Sequence, residues 1–497
     1  MSVLAQSFAM VFDPQVLMVM VLSGAFGLFV GAIPGLTATM ATALLVPITF
    51  FMEPIAAIAA IVTASAMAIF SGDIPGALLR IPGTPASAAY VEDAYRMTRD
   101  GRGQEGLGAL LVFSVIGGVF GTIILILASP LLAEVALKFS SFEYFWLVLL
   151  GLSAAIFVSP GSVPRGLVAL LIGLVAASVG MDNPTAEPRF TFGNVDLLGG
   201  ISFIPAMIGL FALAEVLRYL VRGHKLGAPL RPSTKGLLRS QIPVIRRYPK
   251  QMLRGNITGT LIGALPGAGA DIAAWISYAM SKRFSREPEK FGTGHVEGLV
   301  EAGASNNAAV SGAWIPALVF GIPGDSITAI VIGVLYIKGM NPGPTIFINQ
   351  AELINALFIV FLLANLLMIP LGWLAIRAST TILAVPQKLL MPIITLFCLV
   401  GAFAITNSVF GIILMLGFGI LGFLMEENDI PIAPAILGLV LGPLLEQHFI
   451  TSMIKSDGHL LAFFERPIAA GLGIFTILVW CAPLVRRILF RRKEALT

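Results

Sequence analysis

The chain has 497 residues, of which 57% are hydrophobic and only 12% are charged. Soluble domains carry about 25% charged residues, so this composition excludes an ordinary water-soluble protein. The small net charge of +4 gives no support for nucleic-acid binding. Apolar runs of about 20 residues recur from end to end, and each is long enough to cross a bilayer. The sequence therefore predicts an all-α polytopic membrane protein.

A pattern of proline and glycine occurs twice, once in each half of the chain. The segment 31–35, Gly-Ala-Ile-Pro-Gly, has its counterpart at 263–267, Gly-Ala-Leu-Pro-Gly. An Ile-Pro pair and an Ile-Pro-Gly triplet then follow in each half, starting at Ile74 and Ile81 and at Ile315 and Ile322. Irregular backbone at membrane depth is tolerated only where it faces protein or a water-filled cavity. Duplicated breaks of this kind indicate the binding site of a transporter.

Loop charges predict which side of the membrane each loop faces, because cytoplasmic loops are rich in lysine and arginine. Four basic segments should be cytoplasmic, namely 96–102, 222–254, 282–286 and the C-terminal tail. Two segments almost free of lysine and arginine should be external, namely 181–200 and 339–350. The basic linker 222–254 then separates a first half, 1–221, from a second half, 255–497.

Each half is predicted to contain a re-entrant hairpin. Residues 255–281 begin and end beside cytoplasmic loops and are too few to cross about 30 Å of hydrocarbon twice. The equivalent segment, about 15–51, should enter from outside. Each hairpin leads into an interrupted helix, about 55–90 and about 296–338. The alternative is that each hairpin is one kinked spanning helix.

Eleven crossings are expected besides the two hairpins. They are about 55–90, 105–128, 140–159, 165–180, 201–221, 296–338, 353–376, 387–402, 408–425, 430–446 and 467–489. Five of them separate the hairpins, and an odd number reverses orientation. The duplication is therefore expected to be inverted, as in alternating-access transporters.

Polar residues beside the breaks are candidates for a cation site. Ser305, Asn306 and Asn307 offer oxygen atoms that can replace the hydration shell of Na⁺, although they could instead bond between helices. Ser71, Asp73 and Asp271 are further candidates for binding the cation, and the two carboxylates could instead take up a proton or cap a half-helix. No cofactor is expected beyond a coupling ion, Na⁺ or H⁺.

The hairpin tips are candidates for binding an anionic substrate, because free N–H groups at half-helix N-termini attract carboxylates. Arg80 could pair with a substrate carboxylate or form a salt bridge with Asp73. The remaining substrate candidates line the two tips, and they are Pro34, Gly35, Leu36, Thr37, Thr39, Pro266, Gly267, Ala268 and Gly269.

Enzyme chemistry has little support in this sequence. No Walker A, GxSxG, HExxH or CxxC pattern is present, so hydrolysis of ATP or of esters and peptides is not expected. Asp73 and Asp325 are the one pair of carboxylates that an intramembrane protease would require. A passive channel is a further alternative, but hairpins that stop partway argue against a continuous path.

The chain resembles the large membrane subunit of the tripartite tricarboxylate transporters, the TctA family. The resemblance covers nearly the whole sequence and is carried by 31–40 (GAIPGLTATM), 70–75 (FSGDIP), 80–87 (RIPGTPAS), 139–145 (FSSFEYF), 263–271 (GALPGAGAD) and 301–307 (EAGASNN).

The resemblance implies a secondary-active importer of the bacterial inner membrane, with a cytoplasmic C-terminus. Its partners would be a small four-helix membrane subunit, TctB-like, and a periplasmic solute-binding protein, TctC-like. The substrate would be citrate or a related organic carboxylate, taken up with Na⁺ or H⁺ by an elevator motion. A dicarboxylate transporter similar to the TRAP family is the alternative.

Overall fold

The structure, a computed structural model, describes residues 3–158, 162–181, 187–222, 229–231, 234 and 236–494. Parts of the predicted linker 222–254 and of the predicted external segment 181–200 therefore lie outside the described residues. Regular structure in the described part is almost entirely helical. The exception is a two-residue antiparallel pair, β1 (Gly180–Met181) and β2 (Pro188–Arg189).

The first half contains eleven α-helices in the described residues. They are α1 (Val3–Val11), α2 (Pro14–Gly31), α3 (Ala38–Phe50), α4 (Pro54–Ser71), α5 (Asp73–Leu79), α6 (Val91–Met97), α7 (Gly103–Ala136), α8 (Ser141–Val158), α9 (Val163–Ala177), α10 (Phe203–Met207) and α11 (Ala214–Arg222).

The linker and second half contain the other eleven. They are α12 (Gln241–Arg247), α13 (Pro249–Gly263), α14 (Gly269–Phe284), α15 (Val296–Phe320), α16 (Ser326–Ile337), α17 (Ile346–Asn349), α18 (Ala351–Leu383), α19 (Gln387–Thr406), α20 (Val409–Glu427), α21 (Ile432–Lys455) and α22 (Pro467–Glu494).

Eight helical segments in the described residues are long and apolar enough to cross a membrane, which confirms an all-α polytopic membrane protein. Their bounds are Pro14–Gly31, Pro54–Leu79, Val91–Ala136, Phe203–Arg222, Ala351–Leu383, Gln387–Thr406, Val409–Glu427 and Ile432–Lys455. Several also present large apolar side chains to the exterior, which suits contact with lipid. Leu127, Leu366 and Ile420 are each at least half exposed.

The chain folds as two compact units, and each unit takes residues from both halves of the sequence. The first comprises 1–133 and 202–428, and the second comprises 134–201 and 429–497. In the first unit, buried residues of α4, α5, α6, α7, α15 and α18 form one core that includes Phe70, Tyr90 and Phe113. In the second unit, α21 packs on α8 and α9. The division into halves at 222–254 stays a prediction about the repeat.

Both predicted hairpins consist of two helices joined by a short tip. In the first, α2 and α3 contact each other across residues 32–37, and in the second, α13 and α14 contact each other across 264–268. The re-entrant placement of both segments in the membrane stays a prediction. The second hairpin begins at Pro249, six residues before the predicted start, because a proline suits the first position of a helix.

The interrupted helices break at the Ile-Pro-Gly triplets and not at the Ile-Pro pairs. Ile315-Pro316 lies inside the unbroken α15, and the chain leaves helical geometry at Gly321, where φ is 68°. In the first half, Gly72 keeps helical angles (φ −60°, ψ −15°), so α4 passes almost directly into α5. The break follows at Arg80. Helix α4 nevertheless ends at Ser71 and α5 begins at Asp73, so the position of Asp73 at a break stays a prediction.

Glycine contacts match between the two halves. A methyl group on Gly27 or Gly31 of α2 would clash with the carbonyl oxygens of Ala64 or Ala68 of α4. At the equivalent positions, Gly259 and Gly263 of α13 meet Ser305 and Ala309 of α15 in the same way. The first arm of each hairpin thus packs backbone to backbone against the helix that follows the hairpin, and no side chain larger than hydrogen fits between them.

Candidate functional site

The two broken helices meet at a buried network of three side chains. The Tyr90 hydroxyl donates to Asp73 Oδ1 at 2.7 Å, and Asn306 Nδ2 donates to the same hydroxyl oxygen at 3.4 Å. All three side chains are buried, with residue exposures of 0 to 1%. The network links α5, the segment after the first break and the middle of α15. Asp73 does not cap a helix, because its Oδ1 accepts from Tyr90 and its Oδ2 has no hydrogen-bond partner among the described residues.

Several oxygen atoms around this network are buried and have no hydrogen-bond partner among the described residues. Asp73 Oδ2 and Asn306 Oδ1 belong to the network itself, and Ser277 Oγ, Ser305 Oγ and Asn307 Oδ1 are further such atoms on α14 and α15. Leaving a buried polar atom unpaired costs about 1–3 kcal/mol, so native proteins pair most of them. Carboxylate, amide and hydroxyl oxygens are the groups that coordinate a hard cation, and these residues therefore fit a Na⁺ site.

Ser305, Asn306 and Asn307 point to different neighbours, because successive helix residues are about 100° apart. Asn306 faces Tyr90, whereas Asn307 Nδ2 donates to the carbonyl oxygen of Ala66 at 3.1 Å. The backbone of Ser305 packs against Gly259. Of the other predicted cation ligands, Ser71 donates to the carbonyl oxygens of Gly27 and Ala68. The structure thus brings Asp73 and Asn306 together and directs Asn307 elsewhere.

Asn307 also bears on the predicted relation between the two halves. When the two Ile-Pro-Gly triplets are aligned, Ala66 and Asn307 occupy the same position, and these two residues are in contact. Broken helices α4 and α15 therefore cross at equivalent positions. This arrangement is what a two-fold axis between the halves predicts, and the inverted duplication stays a prediction.

The second hairpin docks onto the break of the first half. Asp271 Oδ1 accepts a hydrogen bond from the backbone N–H of Ala86 at 3.1 Å. Trp275, one turn further along α14, donates to the carbonyl oxygen of Pro85 at 3.0 Å. Asp271 therefore stands opposite the first break, where it binds backbone and does not cap its own helix.

Both breaks end in the same side-chain arrangement. Asp325 accepts from Thr328 N at 2.8 Å while Thr328 Oγ1 accepts from Asp325 N at 2.9 Å, which is a capping box at the start of α16. At the equivalent positions, Thr84 and Ser87 exchange the same two bonds, each at 3.2 Å. The Asp325 carboxylate is thus engaged as a helix cap and is not paired with Asp73.

The hairpin tips supply backbone groups of the kind that bind anions. Gly267 and Gly269 have positive φ of 80° and 59°, a region that favours glycine, and α14 starts at Gly269 with no side chain capping it. At the first tip, Gly35 has φ of 92° and Thr37 caps α3 by accepting from Met40 N. The remaining predicted tip residues, Leu36, Thr39, Pro266 and Ala268, lie in or beside these turns.

Arg80 lies away from the buried network. It ends α5 in a left-handed conformation with φ of 61°, and its side chain is 59% exposed. Its guanidinium binds Glu92 at 2.7 Å, so the salt bridge with Asp73 is not formed.

Sequence reasoning missed two features of the site. The first is Tyr90, which joins Asp73 to Asn306. In the sequence, a single tyrosine after a helix break looks the same whether it belongs to a binding site or to the hydrophobic core. The first tip is flanked by Gln387, which donates to the carbonyl oxygen of Pro34 at 2.8 Å, and by the paired Glu215 and Arg218. These contacts come from distant parts of the chain. No group of three or more His, Cys, Asp or Glu side chains in the described ranges could hold a metal ion.

One family model and two relatives match the chain. The family model described as "Tripartite tricarboxylate transporter TctA family" matches residues 17–437. A protein of Agrobacterium vitis, named as an uncharacterized 52.8 kDa protein in the TAR-I ttuC' 3' region, is 35% identical over 93% of this chain and 92% of its own length. A second from the same organism, in the TAR-II ttuC' 3' region, is 35% identical over 46% of this chain and 96% of its own. No solved structure matches the chain.

Proposed function

Because the chain belongs to the tripartite tricarboxylate transporter TctA family, we propose that it is the large membrane subunit of a cation-coupled importer of citrate or a related organic carboxylate. The main support for cation coupling is a pair of buried oxygen atoms without hydrogen-bond partners among the described residues, Asp73 Oδ2 and Asn306 Oδ1. Tyr90 links the two side chains that carry them. This family is a transporter component, and the proposal involves no enzymatic reaction.

Coupling requires a site whose free energy is high when it is empty and low when a cation is bound. An ionised carboxylate in a low-dielectric interior is unfavourable unless it is paired, and a bound Na⁺ or a proton supplies the missing charge. Asp73 brings the negative charge, and Asn306 brings a neutral oxygen from the opposite repeat. Binding a cation therefore joins the two broken helices at the point where α14 also docks.

The carboxylate substrate is assigned to the second hairpin tip. The start of α14 is uncapped, and the positive φ values of Gly267 and Gly269 allow a ligand to approach the backbone N–H groups closely. A carboxylate lies beside both tips, Glu215 beside Gly35 and Asp325 beside Gly269. The first tip is the weaker anion site because Thr37 already accepts an N–H of α3, whereas no side chain caps α14. Substrate and cation would then share the region around Asp271.

A complete transporter of this type needs two further chains. We assign a TctB-like membrane subunit and a TctC-like periplasmic binding protein as partners, and the bacterial inner membrane as location. The lysine- and arginine-rich loops support a cytoplasmic C-terminus, since Arg486, Arg487 and Lys493 follow the last apolar segment.

The test is uptake of labelled citrate by liposomes containing the membrane subunits, with the binding protein added outside. Uptake should require an inward gradient of Na⁺ or H⁺. In Asn306→Ala, the cation concentration for half-maximal uptake should rise about ten-fold or more, because the variant loses one polar group that contacts the charged ion. Asn365→Ala is the control, because Asn365 is also a buried amide but bonds only to Thr122 and Phe361 among the described residues. Uptake that needs no gradient would reject the proposal and favour a passive channel.

Asp73 also distinguishes the two candidate ions. It is the single carboxylate in the network, so a proton-coupled transporter should lose coupled uptake in Asp73→Asn. A Na⁺-coupled one should retain uptake at raised Na⁺, since an amide oxygen still coordinates the ion. Unchanged cation dependence in both Asp73→Asn and Asn306→Ala would remove this pair from the coupling site.

A further inference from the structure

A second site lies where the linker joins the second hairpin. Here α12 ends, α13 begins and the end of α14 returns, and they enclose a cavity of about 740 Å³. Its lining contains Arg246, Arg247, Tyr248, Lys250, Gln251, Arg254, Phe284, Arg286, Glu287 and Glu297. None of these residues takes part in the proposed cation or substrate sites.

The cavity lining has five basic side chains against two acidic ones, Glu287 and Glu297, and so carries a net positive charge. Arg254 is neutralised by Glu301, and Glu297 is held by Gln251 and Ser285. The other four lining cations, Arg246, Arg247, Lys250 and Arg286, form no salt bridge with any residue that the structure describes. Several unpaired positive charges around one cavity repel each other, and an anion with more than one negative oxygen would relieve that repulsion.

The backbone adds to this positive potential. Helix α13 starts at Pro249 on the wall of the cavity, and Tyr248 before it provides no side-chain cap. The N–H groups of the first turn and the helix dipole favour a negative group at this end. The lining cations belong to 222–254 and 282–286, which loop charge predicts to be cytoplasmic.

A row of exposed apolar residues extends from the cavity along α13. Leu253, Ile257 and Leu261 are 50%, 44% and 63% exposed. Their spacing of four residues places them on one face of the helix, which is also the face that carries Lys250 and Arg254. A ligand that fits both features has a phosphate-bearing head and a long apolar tail.

We propose that this cavity binds the headgroup of an anionic phospholipid, whose acyl chains lie along Leu253, Ile257 and Leu261. Basic pockets between membrane helices on the cytoplasmic side bind such headgroups. The lipid would hold the first arm of the second hairpin at the membrane surface. This proposal does not depend on the identity of the transported substrate or coupling ion.

The test is thermal stabilisation of the purified chain in detergent by added phosphatidylglycerol or diphosphatidylglycerol, with phosphatidylcholine as the neutral lipid. Anionic lipid should raise the melting temperature, and phosphatidylcholine should not. The triple variant Arg246→Gln, Arg247→Gln, Lys250→Gln should need on the order of 100-fold more lipid for the same shift, since each basic residue near a membrane surface contributes about five-fold.

The matched control neutralises three exposed cations outside the cavity, Arg99→Gln, Arg239→Gln and Lys282→Gln. It should keep the lipid response of the unmodified protein. An equal loss in both triple variants, or no response to anionic lipid at all, would overturn the proposal. Inorganic pyrophosphate without lipid is the third arm, and if it alone gave the full stabilisation, the site would be one for a soluble phosphate compound.

Discussion

Asp93 is fully buried and accepts four hydrogen bonds, from the hydroxyl of Tyr278 and from the backbone N–H groups of Gly292, Gly294 and His295. The first two bonds reach Oδ2 and the last two reach Oδ1. One side chain of α6 therefore fixes the loop between α14 and α15. Tyr90, one residue before α6, performs the corresponding task inside the membrane region, because it links Asp73 to Asn306.

Tyr90→Phe tests the importance of this hydroxyl. The change removes one donor to Asp73 and leaves the ring in place, so the fold should be retained. We expect the half-saturating concentration of the coupling cation to change by about ten-fold or more, since hydrogen bonds to a charged group contribute about 1.5–3 kcal/mol. Cation titration of citrate uptake measures it. Tyr95→Phe serves as control, because the Tyr95 hydroxyl makes no hydrogen bond with a described residue, and an equal change in both variants would contradict the assignment.

Among the elements, the hairpin and broken helix form one packed unit in each half. Gly83 donates its N–H to the carbonyl oxygen of Gly72 at 3.0 Å, and a methyl group on Gly83 would lie 2.9 Å from the carbonyl oxygen of Gly31. In the second half, a methyl group on Gly324 would lie 2.8 Å from the carbonyl oxygen of Gly263. The glycine of each Ile-Pro-Gly triplet thus allows the backbone at the break to pack against the end of the first hairpin helix in the same half.

Gly83→Ala should destabilise the protein by about 1–3 kcal/mol, as overpacking of a dense interior usually does. The added methyl group would also lie 2.7 Å from the carbonyl oxygen of Gly72, and backbone cannot rotate away. Thermal unfolding of the purified chain measures the loss. Gly417→Ala is the matched control, since nothing lies within 4 Å of a methyl group there and alanine favours helix. Equal stability of the two variants would show that Gly83 does not pack closely against the backbone of Gly72 and Gly31.

The sequence predicted these elements well where glycine and proline mark them. The helix ends near residues 31–35, 263–267 and 321 follow from the duplicated motifs, because proline fixes φ and lacks an N–H, and glycine accepts the positive φ at which a helix ends. The continuity of α4 and α5 did not follow, because Pro75 stands early in α5, where a proline is tolerated. Nor could sequence place Tyr90 beside Asn306, since 216 residues separate them and only tertiary packing brings them together.

At the scale of the whole molecule, loops that share a predicted side of the membrane also touch within the first compact unit. Asp93 and Arg102 bind the loop that contains Gly294, and all of these positions lie at or next to segments predicted to be cytoplasmic. Lys338, beside the predicted external segment 339–350, donates to the carbonyl oxygens of Phe50 and Met52 at the open end of the first hairpin. The contacts therefore agree with hairpins that open to opposite sides.

Cysteine labelling in cells tests that orientation. Phe51 is 77% exposed between α3 and α4, and the Lys290 side chain is 52% exposed between α14 and α15, so these are corresponding positions. In a background with Cys398→Ala and Cys481→Ser, Phe51→Cys should react with an impermeant maleimide added outside the inner membrane. Lys290→Cys should react only after the membrane is permeabilised. Labelling of both from one side would contradict the inverted arrangement.

In the predicted inverted repeat, Asn307 and Ala66 are equivalent residues beside the two-fold axis, and their hydrogen bond then has a consequence for the origin of the chain. A residue beside a two-fold axis faces its own copy in a symmetric dimer, so one mutation changes both sides of the contact. Asparagine facing asparagine would place two amides in the space that now holds one. Fusion of two such segments into one gene removes that restriction, because each side of the axis then mutates alone. An asparagine on one side and an alanine on the other, with the amide bonded to the alanine carbonyl oxygen, is an asymmetry that two identical chains cannot encode.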